Sequence, residues 1–171
     1  MSRLTRTFVV IFLILPLGGC GSEDKADNGA SGVAFHKGYV ASKNSEWSSA
    51  IIHFTKAIEL DPNYINAYNH RGFGFSKQEQ YLEAIADFTK AVELAPKHAD
   101  AYYNRGLAFA KQQKFSEAIA DFTKTIELDP KHANAYGNRG DSYKALDKTM
   151  EAEVDFAKVK ELRKQLIISR T

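Results

Sequence analysis

Arg71, Arg105 and Arg139 recur 34 residues apart, and Asp87, Asp121 and Asp155 follow them at the same interval. A guanidinium on a buried helix face must find acceptors, because an unpaired buried charge is severely penalised. The spacing therefore predicts three ion pairs, one within each repeat, holding helices in register. The alternative is that the arginine stems snorkel to water. The first repeat carries Lys37 and His53 at these two places. The histidines offer less chemistry: His36 and His70 share one repeat position, and His98 and His132 another. A metal needs nitrogens converging at about 2 Å on one ion, whereas equivalent residues of stacked units stand a whole helix pair apart. No HExxH, CxxC or DxDxDG-type loop is present, so neither a metal nor a cofactor is expected. Glu83, Glu117 and Glu151 recur at helix starts, where a carboxylate suits the helix dipole; they read as capping groups. With no GxSxG elbow and no phosphate-cradling glycine loop, the residues predict no enzyme.

The elements that must position these groups follow from the period itself. Gly38, Gly72, Gly106 and Gly140 fall 34 residues apart, and Ala50, Ala84, Ala118 and Ala152 follow each of them by twelve. The octapeptide EAIADFTK occurs at 83–90 and again at 117–124. A fixed period of this length means a stack of similar helix pairs rather than one globular core. Pro62, Pro96 and Pro130 mark the breaks, since proline pushes the preceding residue out of helical geometry. The units then run 31–64, 65–98, 99–132 and 133–162, with 163–171 as a helical extension and tail. The fourth unit lacks the proline, so its second helix is expected to continue from about Thr149 to Ile168. Glycine inside a helix costs about 1 kcal/mol against alanine. The expected return is close approach of the two helices, each glycine meeting the alanine twelve positions on. Trp47, Tyr81 and Phe115 open the second helices, and Phe54, Phe88, Phe122 and Phe156 recur within them; this aromatic stripe reads as core.

The pattern closely resembles the tetratricopeptide repeat, over about 31–162. Tyr68, Tyr102 and Tyr136 occupy the family's aromatic position, with Ala34 replacing it in the first repeat. Lys37, Arg71, Arg105 and Arg139 stand where the family usually has leucine, a real departure. The resemblance implies an all-α fold, a right-handed α-solenoid of four helix-turn-helix repeats with an extended last helix. At 100° per residue, the face of each first helix opposite the tyrosines and glycines can be read off. The resemblance implies that this face lines a concave groove for a protein or peptide partner. Phe35, Tyr39, Phe73, Tyr103 and Leu107 would supply apolar anchors there, and Asp141 lies on the same face. Asn69, Asn104 and Asn138 could bond an extended backbone through their amides. Lys43, Lys77 and Lys111 form a ladder that would favour an acidic segment, although lysine near a helix end also serves the helix dipole and solubility. The carboxylate clamp of chaperone-binding members is not carried over, because Phe35 and Tyr39 stand at its leading positions.

The two ends of the chain carry separate readings. Arg3 and Arg6 precede an apolar run from Phe8 to Leu15, shorter than the ~20 residues that span a bilayer and typical of an export signal. Leu17-Gly18-Gly19-Cys20 resembles a bacterial lipobox. That resemblance implies a signal peptide over 1–19, lipidation of Cys20, and a site at the cell membrane or outer membrane, facing the periplasm or exterior. The alternative is an ordinary signal peptide with an incidental cysteine. Cys20 is the only cysteine of the 171 residues, so no internal disulfide can form. Residues 20–30 read as the lipidated cysteine and a flexible Gly/Ser-rich tether. The chain holds 23 basic and 21 acidic residues; losing the two signal arginines leaves it neutral, which argues against nucleic acid. At the other end, Leu166-Ile167-Ile168 is either a lid folded back on the last repeat or a homodimer contact. Function then divides between a membrane-anchored adaptor that binds a partner in the groove and a self-associating structural protein.

Overall fold

The computed structural model describes residues 29–168, with side chains as far as Gln165. The expected signal 1–19, Cys20, and the side chains of Leu166, Ile167 and Ile168 therefore lie outside the described residues. Within them are eight helices and no strand: α1 (Ala30–Lys43), α2 (Trp47–Leu60), α3 (Ile65–Lys77), α4 (Tyr81–Leu94), α5 (Ala99–Lys111), α6 (Phe115–Leu128), α7 (Ala133–Ala145) and α8 (Thr149–Ile168). Each packs against the next along the chain, forming an α-solenoid of four hairpins. Consecutive odd-numbered helices also touch one another, whereas the even-numbered ones do not. The odd helices consequently crowd the inner side of the curve, and the even helices fan out along its back.

Local chemistry explains the breaks. Asp61, Ala95 and Asp129 end α2, α4 and α6 outside helical geometry, with ψ of 96°, 83° and 91°, each immediately before its proline. The turns inside the hairpins work differently. Ser45, Glu79, Gln113 and Asp147 adopt left-handed backbone at φ 62°, 61°, 59° and 58°, although none is glycine. Each turn is closed by the next residue's amide reaching back to the helix: Glu46 N–H donates to the Ala41 carbonyl at 2.9 Å, and Lys114 N–H to that of Phe109 at 3.0 Å. Such a closure satisfies carbonyls left over at a helix end. It holds a strained residue that costs about 1–2 kcal/mol.

The core is small residues and one ring per hairpin. Ala50, Ala84 and Ala118 are fully buried, as are Phe54 and Phe122, with Phe88 at 1% exposure. The glycine contact departs from expectation. A Cβ added at Gly38, Gly72, Gly106 or Gly140 would stand 2.7–2.8 Å from the ring of Phe54, Phe88, Phe122 or Phe156. The glycines therefore make room for the phenylalanine sixteen residues on, not for the alanine at twelve. The reason is shape: a flat ring laid on bare backbone fills the gap that two small residues would leave as a void. Phe156 is only partly buried, since no further helix follows α8 among the described residues.

Candidate functional site

The three arginine–aspartate pairs come together as bidentate forks. Arg71 donates from Nε to Asp87 Oδ2 and from Nη2 to Asp87 Oδ1, both at 2.8 Å. Arg105 does the same to Asp121 at 2.8 Å, and Arg139 to Asp155 at 2.8 and 2.7 Å. Each fork also reaches back one repeat. The remaining Nη1 donates to Thr55 Oγ1 at 3.0 Å, Thr89 Oγ1 at 3.2 Å and Thr123 Oγ1 at 3.1 Å respectively. The pairing thus ties successive hairpins as well as the helices of one hairpin. The period-34 threonines were the available sequence signal for this second link. Burial tends to lower the arginine pKa, but the aspartate hydrogen bond outweighs it and raises each above its ordinary value. Tyr68, Tyr102 and Tyr136 lie 5.5–5.7 Å from the same guanidinium carbons, so the family's aromatic positions form one wall of these sites.

The concave side is a different environment. A cleft of about 350 Å³ opens between α1 and α3, lined by Tyr39, Lys43, Asn69 and Phe73, with Trp47 and His70 completing its walls. Tyr39 and Phe73 are 37% and 40% exposed, so large apolar surface faces the opening. Trp47 meets Phe73 edge to face at 5.8 Å, and His70 meets Tyr39 likewise at 5.8 Å. Both Trp47 and His70 were missed as groove residues. Trp47 was read only as core, and His70 sits one place beyond the predicted face. Asn104 Nδ2 donates to Asn69 Oδ1 at 3.1 Å across the repeat boundary.

Not every predicted groove residue faces the opening. Phe35 is a core residue: its ring packs 5.5 Å from Phe54, 5.1 Å from Tyr64 and 5.2 Å from His70. The cause is the aromatic at the start of the next hairpin, which covers it. Asn138 is also engaged within the fold, its Nδ2 donating to Tyr103 Oη at 2.9 Å. Tyr103, Asn138 and Asp141 line a second recess, with Val159 and Arg163 of α8 as its far wall. Leu107 is half-buried, and Lys111 is exposed at the end of α5. His98 and His132 cap α5 and α7: their Nδ1 atoms accept from the amides of Ala101 at 3.3 Å and Ala135 at 3.0 Å.

His70 gives the cleft a pH signature. Burial, then the charge of Lys43, then His98, lower its pKa below the ordinary 6.5. Its ring touches Phe35, Tyr39 and Phe54, so the folded state favours the neutral imidazole. The unfolded chain binds the proton first as pH falls, so this contribution to stability is complete above about 6.5 and drains away below it. We expect the unfolding midpoint to fall between pH 7 and 5, and to fall less in His70→Phe. The difference should be a fraction of the ~1.4 kcal/mol per pH unit available to one fully linked proton, because the ring is partly hydrated. Denaturant titrations at three pH values would measure it, and identical slopes would contradict the assignment.

Comparison with known proteins places this geometry. Tetratricopeptide repeat models match residues 99–132 and 122–154, and a TPR repeat model matches 74–113. No curated relative matches by sequence. Among solved structures, the chain is similar to a crystal structure of MamA, with 26% identity over 84% of each chain and a TM-score of 0.79. It is also similar to the first TPR of Spaghetti (RPAP3) bound to the HSP90 peptide SRMEEVD, with 27% identity over 69% of this chain and 94% of that one, TM-score 0.68. The Arabidopsis OM64 TPR domain shares 31% identity over 67% of this chain and 95% of its own length, TM-score 0.66. Period, packing and matches agree, and the chain belongs to the tetratricopeptide repeat family.

Proposed function

We propose that this protein is a membrane-anchored adaptor that binds a segment of a partner protein in the groove formed by its odd-numbered helices. The observation that carries the reading is the α1–α3 cleft, where Tyr39 and Phe73 are left exposed while the equivalent even-helix phenylalanines are buried. Exposed aromatics in a concave, partly polar site are the usual anchors of a protein interface. The similar TPR of Spaghetti was solved with a peptide bound, which supports a peptide as the occupant here.

The anchor itself rests on the sequence. Cys20 follows an export-type segment and precedes a run without large apolar residues, GSEDKADNGASG. Two or more acyl chains on it would hold the protein stably at a bilayer surface, at the cell or outer membrane. No described helix is long and apolar enough to cross a membrane. The role is that of a scaffold, and it needs no chemistry at the groove. The decisive experiment is a cross-linked pull-down from membranes with wild type and a Tyr39→Ala/Phe73→Ala/Tyr103→Ala variant. Prey recovered only by wild type is expected. Equal recovery of every prey by both proteins would refute the groove. Metabolic labelling with a palmitate analogue tests the anchor separately, and label retained in Cys20→Ala would refute it.

A further inference from the structure

The internal boundaries of the solenoid share one pattern of contact. The second helix of a hairpin lies along the first helix of the next, and three of its residues, at i, i+4 and i+7, make the junction. Ile51 meets Gly74, where an added Cβ would stand 3.0 Å from it. Thr55 accepts from Arg71 at 3.0 Å, and Ile58 packs in the cluster around Ala67. The next boundary repeats this with Ile85 at Ala108, Thr89 at Arg105 and Val92 at Ala101. The receiving residues are small and covered: Ala67, Ala101 and Ala135 are 0% exposed, and Ala108 and Ser142 are 2% exposed.

The first hairpin presents the same three positions with no helix laid on them among the described residues. Val33, Lys37 and Val40 stand one period before Ala67, Arg71 and Gly74. Val33 is 57% exposed and Val40 46%, so a surface that is buried at the later boundaries is left open here. Beside Val33 a recess of about 420 Å³ runs to His53 and Leu60. The far side of α8 is finished differently: Glu153, Ala157 and Lys160 take the places of Ile51, Thr55 and Ile58, and all three are exposed. A stack that ends in water needs polar outer residues, and of these two faces only that of α8 has the polar pair.

Charge narrows what can cover the α1 face. In hairpins two to four the cation at this place is neutralised from within, by Asp87, Asp121 and Asp155. In the first hairpin His53 stands where those aspartates do, and Lys37 has no ion pair among the described residues. Glu46, at the rim, accepts from Asn44 Nδ2 at 3.5 Å. A helix laid over Lys37 would bury an uncompensated ammonium unless it brought a carboxylate. That carboxylate belongs at i+4, where the internal helices present Thr55, Thr89 and Thr123. The flanking residues must be smaller than isoleucine, because valine meets them in place of glycine or alanine and the shared volume is limited.

We infer that the exposed face of α1 docks an amphipathic helix of a partner protein, with alanine or valine at i and i+7 and a carboxylate at i+4. The contact continues the solenoid's own boundaries by one helix. No stretch of this chain has alanine or valine, an acid, and alanine or valine at those intervals, so neither a second copy nor the chain's own leading residues supply the pattern. The face is separate from the concave cleft, and the two surfaces can hold different segments.

The full chain in detergent micelles would be titrated into a fluorescein-labelled helical peptide of about 20 residues carrying Val-Gln-Lys-Gln-Glu-Ala-Gln-Val, with anisotropy as the readout. Saturable binding is expected, weakened about tenfold or more when glutamine replaces the glutamate. Val40→Asp should abolish it. Lys37→Glu should weaken it to a similar degree, and a peptide with lysine in place of the glutamate should bind that variant better than wild type. Both positions are exposed, and unchanged circular dichroism would show that the variants fold. The Tyr39→Ala/Phe73→Ala/Tyr103→Ala variant should bind as wild type does; loss of binding there would place the peptide in the concave cleft and overturn the inference. Equal affinity for the glutamate and glutamine peptides would overturn it as well. So would a wild type that binds neither: sedimentation as a dimer split by Val40→Asp would then give the face to a second copy, and a monomer would leave it to the chain's own residues 1–28.

Discussion

Replacing Asp121 with alanine will lower stability by about 3–5 kcal/mol, the range for breaking a buried ion pair at one partner. The side chains of Arg105 and Asp121 are only 18% and 7% exposed. Removing the carboxylate strands the guanidinium with the Thr89 hydroxyl at 3.2 Å and the rings of Tyr102 and Phe109 at 5.6 and 5.9 Å. A neutral hydrogen bond contributes about 1 kcal/mol net, and a cation–π contact about as much, so these partners cannot replace a bidentate carboxylate. Arg105→Leu/Asp121→Leu should recover much of the loss, because no orphan charge remains. Lys124→Ala is the control. Its pair with Glu127 is as short, at 2.9 Å, but the two side chains are 43% and 58% exposed, and the midpoint should not move. Chemical denaturation of the three variants decides the matter. Equal loss in Asp121→Ala and Lys124→Ala would mean that the buried forks do not hold the hairpins together.

Gly106→Val should be the next most damaging change, by about 3 kcal/mol, at the upper end of the range for overpacking a filled core. Even one Cβ there would sit 2.8 and 3.0 Å from Phe122 ring carbons and 3.2 Å from Asp121 Cβ. The ring is fully buried in a close-packed interior, so the two helices of the hairpin must move apart. That displacement also pulls Arg105 from Asp121. The loss should shrink when Phe122→Leu is added, since a smaller side chain returns the missing volume. Gly32→Ala provides the contrast: nothing lies within 4 Å of its added Cβ, so it should leave stability unchanged or slightly improved through helix propensity. Thermal unfolding of both variants tests the point, and equal midpoints would show that the glycine spacing has no packing role.

Much of this architecture was legible in the chain because its signals are local and repeated. Pro62, Pro96 and Pro130 fix where three helices stop through backbone sterics alone, and the missing fourth proline lets α8 run to Ile168. Repetition also exposed the partners Arg71 and Asp87 by their spacing. Other features were hidden because their cause is not local. Ser45, Glu79 and Gln113 share a left-handed conformation that their side chains do not favour; packing of the two helices imposes it. The role of Thr55, Thr89 and Thr123 depends on the next hairpin's position, which no single repeat encodes.

The sequence by itself determined the period, the helix boundaries and the identity of the buried charges, since each follows from residue type and short-range geometry. Only the tertiary structure decided which face each side chain finally served. Phe35 and Tyr39 lie a single helical turn apart, yet Tyr64 from the following hairpin covers one ring and leaves the other 37% exposed. Burial is a property of what packs on top, and that neighbour arrives from more than twenty residues away along the chain.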